Sequence, residues 1–219
     1  MSPSCRPALC RFYQRFLRNR DSAQFAHEVL DSYSMATLER LAYQGEPEVR
    51  RAAVLALGHL GDFRCNHVIG RALRDSDRGV RLVAERYCRE IWATGGLTQH
   101  RQALAVADRL ETVGRFEEAF EIASQICMAD PRYAEAWRHT GICLYGLNRN
   151  AKAIQHFRRA LTLNPFQFEA AISLAQCFID AQKPLLAYRW LRRASRIHPN
   201  LEQIRLEANR LLRATRGEP

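Results

Sequence analysis

Lysine is nearly absent from this 219-residue chain: Lys152 and Lys183 are the only two, so the excess of 33 basic over 23 acidic side chains is carried by arginine. That bias reflects genome composition as readily as a partner, and the resulting formal charge of +10 favours an acidic ligand only weakly. Glycine and proline together number 19, a composition poor in turn residues for which helices are the economical reading. No apolar run reaches the ~18 residues a membrane-spanning helix requires, and the first twenty residues lack the apolar core of a secretory signal, so a cytoplasmic protein without a transmembrane segment is expected. The seven cysteines are odd in number and include no C-x-x-C pair, which argues against a disulfide framework or a thiolate zinc site. They are expected as small buried hydrophobes.

What the chain does contain is periodicity. Pro131, Pro165 and Pro199 stand 34 residues apart, each closing an apolar-periodic stretch. With each proline set at position 32, position 8 is Ala107, Gly141 and Ala175, and position 20 is Ala119, Ala153 and Ala187. Position 27 is Ile126, Ala160 and Ala194. Small residues belong where two antiparallel helices cross closely, because a larger side chain forces them apart. Leu110, Leu144 and Phe178, and then Phe157 and Leu191, fill complementary slots.

This pattern resembles the tetratricopeptide repeat. The middle unit, 134–167, is nearest to it, with Trp137, Gly141, Ala153, Phe157, Ala160 and Pro165 in place. The flanking units, 100–133 and 168–201, lack the tryptophan and glycine but keep most of the alanines and the proline. An amphipathic helix after Pro199, carrying Leu201, Ile204, Ala208, Leu211 and Leu212, is expected to cover the last unit, with 214–219 fraying.

Upstream, a looser period of 31 residues relates Val49, Arg50 and Ala53 to Val80, Arg81 and Ala84. Glu46-Pro47-Glu48 and Asp75-Ser76-Asp77 can each start a helix. These units resemble HEAT-like repeats, and the resemblance implies that Arg50 and Arg81 form a structural ladder with acidic turn residues of a neighbouring unit. The expected fold is therefore all-α, a right-handed superhelix of helix pairs, HEAT-like over 31–96, tetratricopeptide over 97–201, with a capping helix and tail over 202–219. The glycine pair Gly95-Gly96 marks the expected junction.

Residues 1–30 begin with arginines at 6, 11, 15, 18 and 20 and no acid before Asp21, while Leu9, Phe12, Tyr13, Phe16 and Leu17 recur at helical spacing. Three readings stay open for this segment: a helix capping the first HEAT-like unit, a basic amphipathic helix for an acidic partner or membrane surface, and an organelle targeting sequence. A second short helix from Ser22 fits Asp21 as its cap.

No glycine-rich phosphate loop, H-E-x-x-H or G-x-S-x-G motif is present. His27-Glu28 is the one His-Glu dipeptide, against several in the HEAT-repeat hydroxylases. A lyase or hydroxylase subunit thus remains only an alternative. His139 and Cys143 lie one helical turn apart, but with no third ligand spaced to join them they read as packing, and no metal or cofactor is expected. Arg158, Arg159, Arg192, Arg193 and Arg196 fall on second helices, whose outer side makes nucleic-acid binding an electrostatic alternative.

The tetratricopeptide resemblance implies a concave groove lined by first helices that takes a partner's peptide or helix, the work of a noncatalytic adaptor. Read onto this chain, the groove includes Leu104, Asp108, Arg138, His139, Ile142, Tyr145, Ile172, Ser173, Gln176 and Ile179. The clamp that grips chaperone carboxyl termini uses lysine, asparagine and arginine, where this chain has Leu104, Asp108, His139, Glu169 and Ser173, so an internal segment of a partner is expected instead. Filling of the groove by the protein's own termini is the competing reading.

Overall fold

The computed structural model describes residues 7–216. Arg6 and Cys5, part of the basic amino-terminal segment, and residues 217–219 of the tail lie outside the described residues. Within them the chain is all-helical, with thirteen α-helices, one 3-10 turn and no strand. It divides into two compact units, one ending at Trp92 and the other beginning at Ala93.

The first unit contains α1 (Ala8–Asn19), α2 (Ser22–Ser32), α3 (Met35–Gln44), α4 (Pro47–Leu60), α5 (Asn66–Ala72) and α6 (Arg78–Ala93), which runs one residue past its boundary. Its helix starts follow from local chemistry. Asp21 accepts from the Gln24 amide at 2.9 Å, Ser34 accepts from Thr37, and Pro47 sits in the first turn of α4, where no amide partner is needed. Asp77 caps α6 by accepting from the Val80 amide at 2.9 Å. Helix α1 packs on α2 and α4 with Leu9, Cys10, Tyr13 and Phe16 buried, Phe16 lying 5.3 Å from the ring of Phe25.

The arginines of the 31-residue period are engaged structurally. Arg50 grips Asp75 in two-pronged fashion, at 2.8 and 2.6 Å, and also donates to the Gly45 carbonyl. Arg51 pairs with Asp77 at 3.0 Å, and Arg81 donates to the Asp75 and Ser76 carbonyls. A planar guanidinium suits this work because its fork satisfies a carboxylate and a carbonyl at once. Burial is the largest single influence on Asp75 and opposes its ionisation, but the hydrogen bonds from Arg50 and the Asp77 amide together with the Arg50 charge outweigh it and hold the carboxyl below its usual range.

The second unit consists of α7 (Thr98–Thr112), α8 (Phe116–Ala129), α9 (Ala134–Gly146), α10 (Asn150–Leu163), α11 (Phe168–Asp180), α12 (Pro184–Ile197) and α13 (Glu202–Arg216). Consecutive helices pack as antiparallel neighbours. The first turn between partners needs a left-handed backbone: Gly114, Asn148 and Gln182 have φ of +77°, +58° and +54°. Each pair then closes on its small residues. Ala107 packs with Ala119, Gly141 faces Phe157, and Ala175 packs with Leu191.

Helix α13 buries Ala208 against Ala175 and Leu191, with Ile204 and Leu211 alongside. It continues to Arg216, past residue 214 where fraying was expected, because Ile204, Leu211 and Leu212 anchor its face and Arg213 and Arg216 complement the dipole in its last turn. The signature residue Trp137 is only partly buried, its indole N–H donating to the Pro131 carbonyl at 3.1 Å and its ring lying 5.1 Å from His156.

A methyl group on Gly141 would sit 2.6 Å from Cε1 of Phe157, a fully buried ring with no room to retreat. Gly141→Leu is therefore expected to destabilise the protein by about 1–3 kcal/mol. Gly141→Ala should also lose stability, against the ~1 kcal/mol helix-propensity gain from removing glycine. Thermal unfolding followed by circular dichroism checks both, and an unchanged midpoint in either would contradict the crossing.

Candidate functional site

The first helices of the three 34-residue units, α7, α9 and α11, follow one another side by side, since α9 packs on α7 and α11 on α9. Polar contacts tie them together. At the carboxyl end of α7, Glu111 accepts from His139 Nδ1 at 2.8 Å and from the Cys143 thiol at 3.4 Å. Arg138 donates to His139 Nε2 at 2.8 Å and to Glu135 at 3.0 Å, and Gln167, just before α11, donates to the other oxygen of Glu135. These groups are largely withdrawn from water, with side-chain exposures of 8% for Glu111, 7% for His139, 10% for Glu135 and 15% for Arg138.

Burial shapes their chemistry. It disfavours the charged form of Arg138, yet Glu135 and then Glu169 reverse that and raise its pKa above the ordinary arginine value. Burial and the neighbouring Glu111 anion push the Cys143 thiol up, so it stays protonated and can donate. Because a guanidinium only donates, His139 Nε2 must accept, which assigns the ring proton to Nδ1 facing Glu111.

Farther along, Tyr145 donates to Asp180 at 2.7 Å and Gln176 donates to the other Asp180 oxygen at 3.0 Å. The hydrogen bond to Asp180, then burial, pushes the Tyr145 phenol up to about 12. Ile142, Ile172 and Ile179 are partly buried beside these polar groups, as is Ser173, while Asp108 and Gln176 are exposed.

Two of the expected groove residues are not surface groups. Leu104, 4% exposed, packs with Ala123, Ile126, Tyr133 and Ala136 in the core of the first pair. His139, 5% exposed, is locked between Glu111 and Arg138. Helical spacing alone places both on the inner side, but residues facing the neighbouring helix pair are covered by it. The Glu111–His139 contact was invisible in the linear reading because it joins different units, and the Glu135–Gln167 contact because it joins the two ends of one unit. The signal that could have found the first is repeat register: positions 12 of one unit and 6 of the next meet as Glu111 and His139.

Outward on the second helices, Arg158, Arg159, Arg192 and Arg196 are exposed, and Arg193 is partly buried. Aromatic rings do accompany them: Arg159 lies 5.8 Å from the Trp137 ring and Arg193 lies 5.1 Å from Trp190. Those rings face guanidinium groups of the chain itself, which occupy faces that bases would need for stacking. Among the described residues no helix is long and apolar enough to cross a membrane.

The six described cysteines are buried. Burial pushes Cys127 and Cys177 each up to about 11 from an ordinary 9.0. Their contribution to stability is complete below pH 9.0 and is lost as the pH rises toward about 11, because only the unfolded thiols ionise in that interval. The urea midpoint should accordingly fall between those pH values, and the Cys127→Ala/Cys177→Ala variant should show a shallower fall over the same range.

The family model for the tetratricopeptide repeat matches residues 99–168 and 147–202. A BBSome complex member BBS4 homolog of Drosophila melanogaster is 28% identical over 88 residues, 40% of this chain and 18% of that protein. DnaJ homolog subfamily C member 7 of Homo sapiens is 36% identical over 74 residues, 34% of this chain and 15% of that protein. The matched segment thus spans less than a fifth of either relative. Among solved structures, the first tetratricopeptide domain of Spaghetti (RPAP3) bound to the HSP90 peptide SRMEEVD overlays with a TM-score of 0.51 at 18% identity, covering 55% of this chain and 97% of that one.

Proposed function

We propose that the first helices of residues 99–202, the span that the tetratricopeptide family model matches, form a concave groove that binds a peptide or helix of a partner protein, making the chain a noncatalytic adaptor. The observation that carries this reading is the row of partly buried apolar side chains, Ile142, Tyr145, Ile172 and Ile179, flanked by the exposed polar groups Asp108, Gln176 and Asp180, on the first helices α7, α9 and α11. Such a strip supplies apolar contact with polar orientation to a segment laid along it. Arg138 and His139 support the floor from behind rather than reach for a ligand, since both are committed to buried partners.

The solved neighbour is bound to an acidic HSP90 peptide. In this chain Asp108 and Glu169 stand where the resemblance places the cations of such a clamp, and carboxylates there repel that ligand. The pairs α3–α4 and α5–α6 are read as HEAT-like, supported by the Arg50–Asp75 grip between them, and α1 as a cap, supported by its buried Leu9, Tyr13 and Phe16.

Affinity capture from a lysate, with partners quantified by mass spectrometry, tests the groove. The variant Tyr145→Ala/Ile172→Glu removes an aromatic anchor and charges the apolar strip without touching the buried network. It is expected to lose about 2 kcal/mol or more of binding energy, some thirtyfold in affinity. Arg158→Glu/Arg192→Glu on the second helices should retain the partner. Loss in this second variant alone would overturn the groove reading in favour of electrostatic binding by the arginines.

A further inference from the structure

The linear sequence offers His139 and Cys143 no third ligand, but the folded chain does. Asp108 and Glu111, one turn apart on α7, are brought against His139 on α9 so that one ligand atom from each lies within 4.8 Å of the others. We propose that Asp108, Glu111 and His139 form a binding site for a first-row divalent cation, with Zn²⁺ preferred over Mg²⁺ and with one coordination position left open toward the exposed Asp108 side.

The donor set is one imidazole and two carboxylates, a mixture that suits a borderline metal, whereas Mg²⁺ seeks an octahedron of oxygens. Ligands about 2.0–2.1 Å from a tetrahedral zinc stand roughly 3.3 Å from one another. The Nδ1–Oε1 separation of 2.8 Å therefore has to widen slightly, while Asp108, being exposed, is free to turn inward.

Charge points the same way. Glu111 is buried, yet its hydrogen bonds come from a neutral imidazole and a thiol rather than from a guanidinium. Asp108, Glu135 and Glu169 add negative charge nearby, and the one cation within the network, Arg138, is held by Glu135. A buried carboxylate in such surroundings gains strongly from a dication.

Binding requires the Nδ1 lone pair, so the ring gives up its Nδ1 proton and takes one at Nε2, remaining neutral. Arg138 then releases Nε2 and keeps Glu135. The Cys143 thiol, 3.4 Å from Glu111, serves as an orienting donor behind the metal ligand. A bound ion would join the first helices of two successive repeats.

The test is isothermal titration of the tag-free, metal-stripped full chain with ZnCl₂ alone, accompanied by thermal unfolding. One equivalent of zinc should bind with micromolar or tighter affinity, raise the melting midpoint, and withstand a hundredfold excess of Mg²⁺. Asp108→Asn, at an exposed position that leaves packing intact, should weaken binding at least tenfold, and Glu111→Gln and His139→Ala should do the same if they fold. Absence of zinc binding to the wild-type chain, unchanged affinity in Asp108→Asn, or displacement by Mg²⁺ would each overturn the site. No partner protein enters the experiment, so its failure leaves the peptide-binding proposal standing and failure of the capture experiment leaves the metal site standing.

Discussion

The close crossing within each helix pair of the second unit is the constraint on which the rest depends. At Gly141 the helix backbone passes so near Phe157 that not even a methyl group fits, and Ala107 and Ala175 hold the equivalent places in the adjoining pairs. Dispersion contacts fall away quickly with separation, so a pair opened by one side chain loses packing along its whole length. Because each repeat rests only on its neighbours, the crossing also sets how far one first helix stands from the next. The contact of Glu111 with His139 and that of Tyr145 with Asp180 span two such helices, and both rely on that spacing.

The two units solve the problem of joining helix pairs differently. In the first, arginines of one pair grip the acidic turn of the next, with Arg50 on Asp75 and Arg51 on Asp77. In the second, junctions are apolar at the core and carry a buried polar network on one side, where Glu111, His139, Arg138, Glu135 and Gln167 satisfy one another. A buried network of this kind is costly if any member is unpaired, and it specifies register because a shifted pairing would strand charges. Two of these side chains, Glu111 and His139, also belong to the proposed metal-ligand set, so alignment and ligand binding share residues.

Much of the architecture was legible in the chain itself. Three prolines at a 34-residue interval, with alanine or glycine at fixed offsets, locate the helix pairs of the second unit, because a close crossing admits few residue types and a helix end tolerates proline well. The cap at Asp21 and the helix starts at Pro47 and Asp77 were equally readable, since they depend on residues within one turn. Helix α13 ran farther than its polar end suggested because its anchoring face, not its last residues, governs its length.

What sequence alone determined is thus what local chemistry and periodicity control: helical class, repeat length and the positions that have to be small. Tertiary structure decided which side chains meet. Leu104 and His139 share the helical face of surface residues, yet packing of the adjoining helices buries both. His139 gains Asp108 and Glu111 as neighbours across a gap of 28 residues or more in the chain, a proximity set by stacking of one pair on the next. Spacing along a helix repeats every 3.6 residues and can be read from the sequence. Distances between helices depend on how every intervening side chain packs, and that exists only in the folded molecule.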